Sequence, residues 1–457
     1  MSSQRNLVVM LYDEFQRDCA STYGGPVPTP TMDRLADRGV VFDRYYCANP
    51  LCVPTRPSMM GGKWPHAHGS ITFGEGYSTI NRGEEMIFDR LLDGGYHVGY
   101  EGIWHIKRDP ADDRTDEFAY YKETGFCREQ YKEVLREHGG EDGDQQGPCK
   151  YPTDTDIRDA RLSIPHPMVW TRPIEEHDDY RHARNIADFI LNAPADKAVA
   201  AFCSSGIPHP PLLVPQEYME MFDPAEVKLP ESFGEDRSDM PWAVAEAPGY
   251  QAVQHFHERR WREAIAAYYA FVAFGDYTQG LVVDALEESG RMDEAVTVMT
   301  CDHGEMLGAH SMYQKGCLYE ESIALPLVIC APGIEAGRRS QLASQTDFAP
   351  TLLELLDLPP LQEAQGGSLV PILQDADHPG RPYTFSEFNG HVDGGVKIRG
   401  AISDRYKYIY AHNDGEQLFD LHEDPHEMDD LSDDPDYLTV KEEMRTALAE
   451  WMEATGD

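Results

Sequence analysis

Positive charge is what this chain has least of. Its 39 Lys and Arg residues face 80 Asp and Glu, a formal net charge of −41. Nucleic acid and anionic membrane surfaces both select a basic footprint, so neither is an expected partner. Long apolar runs are also missing. No stretch approaches the roughly 18 consecutive apolar residues of a membrane span. The N-terminal "MSSQRNLVVMLYDEF" has no apolar segment long enough for a secretion signal. Paired cysteines are absent too: nine are scattered through 457 residues without a C-x-x-C. That excludes a disulfide framework or a zinc ribbon and suits reduced thiols in a cytoplasmic protein.

What is present reads as a globular enzyme large enough for one main domain and a smaller one. Short apolar runs alternate with helical patterns. "NLVVMLY" is a strand; "TPTMDRLADRGVVFDRYYC" is a helix, a stop at Gly39 and a strand; "GEEMIFDRLLDGGYHVGYEGI" repeats the scheme. "HARNIADFILNA" leads into the strand "AVAAFCSS", and a long helix from "WREAIAAYYAF" precedes a strand ending at Cys301. The alternation predicts an α/β fold with a central mixed, mostly parallel sheet flanked by helices. Beyond "GGSLVPIL" four short antiparallel strands are expected, closed by the helix "LTVKEEMRTALAEWMEA". We place a boundary near Leu373, giving a catalytic domain at 1–373 and a C-terminal antiparallel sheet plus helix at 374–457. Residues 107–160 and 223–255, rich in charge, Pro and Gly, read as surface insertions.

In open parallel sheets, ligands gather beyond the carboxyl ends of the strands. Two such ends carry metal-type residues, Asp13-Glu14 after "LVVMLY" and Asp302-His303 after "VTVMTC". Oxygen ligands with one imidazole suit a hard or borderline divalent cation. A third strand is followed by "ANPLCVPTRPSMMGGKWPHAHGS", in which Cys52, Pro54 and Arg56 form a C-x-P-x-R pattern. Lys63, His66 and His68 follow it and are read as shaping the turn. Glu387 and His391 lie on a loop of the C-terminal part within possible reach of the site.

These segments resemble the formylglycine-dependent sulfatases and their sisters, the phosphonate monoester hydrolases, in the alkaline phosphatase superfamily. The resemblance spans nearly the whole chain. It rests on Asp13, "TPTMDRLADRGVVFDRYY", "PLCVPTRPSMMGGKWPHAHG", "GIWHIKRD", "IPHPPLLVP", "CDHGEMLGAH", "YQKGCLYEESIALPLVI", "DFAPTLLELL" and "LFDLHEDPHEMDDL". It implies an alkaline-phosphatase-like fold and metal-dependent hydrolysis of a sulfate ester. The nucleophile would be a formylglycine made from Cys52 by a maturation enzyme, its hydrate attacking sulfur. Arg56 would hold the nucleophile and neutralise charge bidentately. Lys315 and His209 would contact ester oxygens, and His209 or His105 would move the proton. Asp13, Glu14, Asp302 and His303 would hold one divalent ion, Ca2+ first, Mn2+ or Zn2+ next. Glu14 stands where the family often has Asp, Gln or Asn. Many sulfatases read G-K-W-H where this chain has Gly102-Ile103-Trp104-His105, so one pocket cation is missing unless Lys107 or Arg108 turns inward. That departure keeps a phosphonate monoester or phosphodiester hydrolase as the alternative. A small basic pocket within an acidic surface is expected.

Overall fold

The computed structural model describes residues 4–138, 167–236, 240–241, 247–391 and 395–457. Its main sheet is built, in chain order, from β1 (Asn6–Asp13), β2 (Val40–Phe42), β3 (His97–Gly102), β4 (Tyr120–Glu123), β5 (Val199–Pro208), β6 (Ala295–Cys301), β7 (Leu327–Cys330) and β8 (Gly337–Arg339). Across the sheet the order is β8-β2-β7-β6-β1-β5-β3-β4. β1 pairs in parallel with β5 and β6, and β3 pairs in parallel with β5. β7 is antiparallel to both β6 and β2, so the sheet is mixed and mostly parallel, as the sequence pattern predicts. All eight residues of β1 are buried, the burial expected of a central strand covered on both faces.

The helices that matter for the site are α1 (Pro30–Ala36), α2 (Cys52–Gly61), α3 (Asp178–Leu191), α4 (Glu258–Glu288), α5 (Phe348–Leu355) and α6 (Leu438–Thr455). Every residue of α2 is buried. Pro54 falls in its first turn, where no intrahelical donor is needed. Pro57 lies inside and cannot bond the Val53 carbonyl, which accepts from the Ser70 hydroxyl instead (3.4 Å). The helix stops at Gly62, in the left-handed conformation at φ 69°. Among the described residues, no helix is long and apolar enough to cross a membrane, and all eight cysteines are buried and free.

A second, antiparallel sheet follows, with β9 (Thr384–Phe388), β10 (Ile398–Ile402), β11 (Tyr406–Ala411) and β12 (Gly415–Asp420) in sequential order. α6 lays Met444, Leu448 and Trp451 against Tyr408 and Leu418, in a cluster that also takes in Ala48 and Trp64 from the two flanks of α2. Trp451 stacks on Phe385 (4.9 Å) and meets Trp64 edge-on (5.1 Å). The Glu387 amide donates to the Ala48 carbonyl (2.9 Å). Both ends of the α2 segment are therefore seated on the small sheet.

The insertion expected at 107–160 needs correcting. Its residues 120–123 are β4, an edge strand of the main sheet, because they pair in register with β3 from Gly99 to Gly102. Residues 139–160, and parts of 223–255, lie outside the described residues. Trp451→Ala should remove the aromatic joint between the two sheets. A loss of roughly 3 kcal/mol is expected, read as a lower denaturation midpoint, whereas Trp451→Phe should cost less than half of that.

Candidate active site

Four neighbouring parallel strands, β6, β1, β5 and β3, end at one place. They bring together Asp302, Asp13, Ser204 and Ile103, and α2 supplies Cys52 and Arg56 above them. Arg56 is 1% exposed and commits four of its five N–H groups. Nη2 donates to Asp13 Oδ2 (2.9 Å) and Nε to Asp302 Oδ2 (3.0 Å). Nη1 donates to the Ile103 carbonyl (2.6 Å) and to Ser204 Oγ (2.7 Å). The guanidinium thus neutralises charge by bridging two carboxylates rather than by a bidentate contact with one group.

Glu14 takes a left-handed conformation, φ 67°, strained for a residue with a side chain. Its amide donates to Asp302 Oδ1 (3.1 Å), and its carbonyl accepts from Tyr268 Oη (2.6 Å) on α4. Its Oε2 accepts from Lys315 Nζ (2.6 Å) and lies 3.1 Å from His209 Nε2. Beside the Glu14 carboxylate, Lys315 is held protonated, its pKa raised although burial acts the other way. His209 Nδ1 is 2.5 Å from the Pro210 carbonyl and so carries the proton there. Burial, then Lys315, lowers the His209 imidazole well below its ordinary range.

Burial lowers the His303 imidazole to about 4, so it is neutral near pH 7. Burial opposes ionisation of Asp302, but His303 and Arg56 outweigh it and hold the carboxyl at about 2. Burial, then Arg56, lowers His105 to about 3; its Nδ1 is buried without a partner and its φ is 53°. Burial, then Asp13, pushes the Cys52 thiol up. As a thiol it is a poor nucleophile at neutral pH.

Whether a cation fits can be judged from charge and from orphaned atoms. Asp13, Glu14, Asp302 and Glu305 are fully buried, against only Arg56 and Lys315. Burial raises the pKa of Asp13, Glu14 and Glu305, so these carboxyls resist ionisation, and a divalent cation beside them would favour their charged forms. Asp13 Oδ1, Glu14 Oε1 and His303 Nε2 are buried without hydrogen-bond partners. His303 Nε2 lies 3.9 Å from Asp13 Oδ1 and 3.7 Å from Asp302 Oδ1. The donor set fits one divalent ion.

A cavity of about 910 Å3 opens over Cys52, with His105, His209, Lys315, Arg128, Phe126 and His391 among its lining. Its basic side chains outnumber the acidic Glu129 and Asp178 despite the charge of the chain. The structure thus gathers all nine candidate residues. It does not gather Lys107, which donates to Ser78 Oγ (3.1 Å), or Arg108, paired with Asp89 (3.0 Å). Neither replaces a lysine at position 103. Glu387 turns to His66, His68 bonds Ser58 Oγ (2.9 Å), and Lys63 pairs with Glu84 (2.9 Å), so the three residues after α2 shape their turn.

Sequence reading missed several positioning groups. Glu305 accepts from the Leu307 and Gln314 amides (2.8 and 2.7 Å), tying down the loop that carries Lys315. Its place two residues after His303 was the available signal. Gln345 donates to the Asp302 carbonyl (2.6 Å), accepts from the Ala48 amide (3.0 Å) and bonds Thr55 Oγ1. Phe126 stacks on His209 at 3.9 Å. Nothing local in sequence marks either.

Comparison with known proteins identifies the family and the fold. Residues 5–358 match the family model described as Sulfatase, and residues 308–454 match one described as N-sulphoglucosamine sulphohydrolase, C-terminal. An arylsulfatase of Clostridium perfringens is 24% identical over 445 residues, covering 91% of this chain and 88% of its own length. The phosphonate monoester hydrolase of Agrobacterium radiobacter has the same fold, with a TM-score of 0.83 at 23% identity over 99% of this chain and 96% of its own. A protein solved with its substrate D-glucosamine-2-N,6-O-disulfate also shares it, with a TM-score of 0.76 at 21% identity over 100% and 99%.

Arg56→Lys tests the clamp, since an ammonium cannot span two carboxylates in the same geometry. Steady-state kinetics should show kcat/KM falling by at least ~100-fold, the scale of a broken buried pair, while Lys63→Met should change it less than threefold.

Proposed function

The chain belongs to the sulfatase family, which are sulfuric ester hydrolases, and on that premise we propose that it cleaves a saccharide sulfate with a formylglycine derived from Cys52 and one divalent ion. The observation that carries this reading is the set of buried ligand atoms without hydrogen-bond partners, Asp13 Oδ1, Glu14 Oε1 and His303 Nε2, beside Cys52. Asp13, Glu14, Asp302 and His303 would hold the ion; three carboxylates and one neutral imidazole suit Ca2+ first, then Mn2+ or Zn2+. When installed and bound, the formylglycine hydrate supplies an attacking hydroxyl, and the divalent ion lowers its pKa and polarises the ester.

The side chains do the remaining work. Arg56 keeps Asp13 and Asp302 fixed in position, so ligand geometry persists through turnover. Lys315 stays protonated beside Glu14, a preorganised positive charge for an ester oxygen. His209 Nε2, 3.1 Å from Glu14, and His105 Nδ1, buried without a partner, are the two imidazole nitrogens that would move the proton. Exposed Phe73 offers an apolar face to a sugar ring.

The fold match to a phosphonate monoester hydrolase keeps a second reading open: a phosphonate monoester or phosphodiester substrate. Sulfate monoesters and phosphodiesters both carry one negative charge. The isoleucine at position 103 therefore does not choose between them, and its carbonyl is used to anchor Arg56.

Peptide mass spectrometry of protein from its native host should find Cys52 converted to an aldehyde, sulfur and two hydrogens replaced by oxygen. An unmodified thiol in active native protein would end the formylglycine assignment. Comparison of an aryl sulfate with an aryl phosphodiester should give the larger kcat/KM for the sulfate; the reverse by orders of magnitude establishes the second reading. Lys315→Ala should lower kcat at least tenfold and raise KM less, because its contact strengthens as charge leaves the ester.

A further inference from the structure

Most cations around the cavity already have partners. Arg56 is held by Asp13 and Asp302, Lys315 by Glu14, and Lys122 by Glu101 at 2.7 Å. Arg128 lines the same cavity, is exposed, and has no carboxylate partner among the described residues. It is the cation left for a ligand.

Its own contact is an aromatic face. The guanidinium carbon lies over the Phe126 ring, 5.1 Å from the centroid. Phe126 is in turn stacked on His209, 3.9 Å between centroids and 10° from parallel. With one face covered by the imidazole, the guanidinium lies across the ring from it, no more than about 9 Å from the imidazole centre by the sum of the two spacings. Hydrogen bonds to an oxyanion reach only about 3 Å. Phe126 lies between His209 and Arg128, so the guanidinium faces a part of the ligand beyond the ester oxygens at His209. The guanidinium meets the substrate roughly a sugar ring away from the bond that breaks.

The arrangement is held in place. Cys127, between the two stacked residues, is buried with its thiol toward the Pro211 carbonyl (3.6 Å), and the Arg128 amide donates to the Phe126 carbonyl (2.6 Å). Phe126 lies in the short connection between β4, which ends at Glu123, and a helix that begins at Arg128. A planar guanidinium stacked on a ring keeps its N–H edge free for two parallel bonds to an oxyanion.

We propose that the substrate carries a second sulfate about one sugar ring from the scissile ester, and that Arg128, stacked on Phe126, binds it bidentately. This rests on the saccharide sulfate reading above. The test is calorimetric binding to the Cys52→Ala protein in Ca2+ buffer, comparing D-glucosamine-2-N,6-O-disulfate with the 6-O-monosulfate. The disulfate should bind at least tenfold tighter, and Arg128→Gln in the same background should bring the two within twofold. Equal affinities before that change, or a tenfold preference surviving it, would overturn the assignment. Wild-type turnover of a simple aryl sulfate separates the two claims. No turnover with the preference intact removes the sulfatase reading and leaves Arg128 as a sulfate-binding residue. Turnover without the preference removes the Arg128 assignment alone.

Discussion

Arg56 between Asp13 and Asp302 is the contact on which the site depends. A buried guanidinium needs several acceptors, and it finds them only if four strand ends and one helix converge. The Ile103 carbonyl and Ser204 come from β3 and β5, the carboxylates from β1 and just beyond β6. Arg56 sits one turn beyond Cys52 on α2, so satisfying Arg56 also fixes the nucleophile position over the same strand ends. Gln345 repeats the logic from the other side, bonding the Asp302 backbone and the segment leading into α2. The clamp neutralises part of the charge. Asp13 Oδ1, Glu14 Oε1 and His303 Nε2 remain buried without hydrogen-bond partners, and these are the atoms that would hold a cation.

The outer architecture serves this centre. The C-terminal sheet contributes no catalytic group, yet Trp451, Phe385 and Glu387 seat the segments that flank α2. Glu305 holds the loop of Lys315, and Tyr268 on α4 holds the strained Glu14 carbonyl. The acidic surface does not exclude an anionic ester. Repulsion from distant exposed charges is screened over a Debye length of about 8 Å at physiological salt. The local lining, with Lys315, Arg128 and several imidazoles, decides what enters.

Much of this is legible in sequence because it is local. Asp13 and Asp302 end apolar strands, and Cys52 and Arg56 share one turn. What is illegible arises from pairing between distant segments. β4 is short and polar on its exposed side, so only its register against β3 reveals it as part of the sheet, and with it Phe126 and Arg128 enter the cavity. Lys107 and Arg108 are basic and close in sequence to His105, but Ser78 and Asp89 draw them away. Gln345 precedes an ordinary helix, and its four contacts come from segments tens to hundreds of residues apart.

The central claim is that the buried carboxylates beside Arg56 bind one divalent ion. The most direct measurement is an anomalous-difference map from crystals of metal-replete protein, collected at the edge of the metal identified in solution or after Mn2+ exchange. The account predicts a single strong peak per chain in contact with Asp13, Glu14, Asp302 and His303. A map without a peak there, or with its peak at the buried Cys127, His177 and Asp179 group instead, would contradict it.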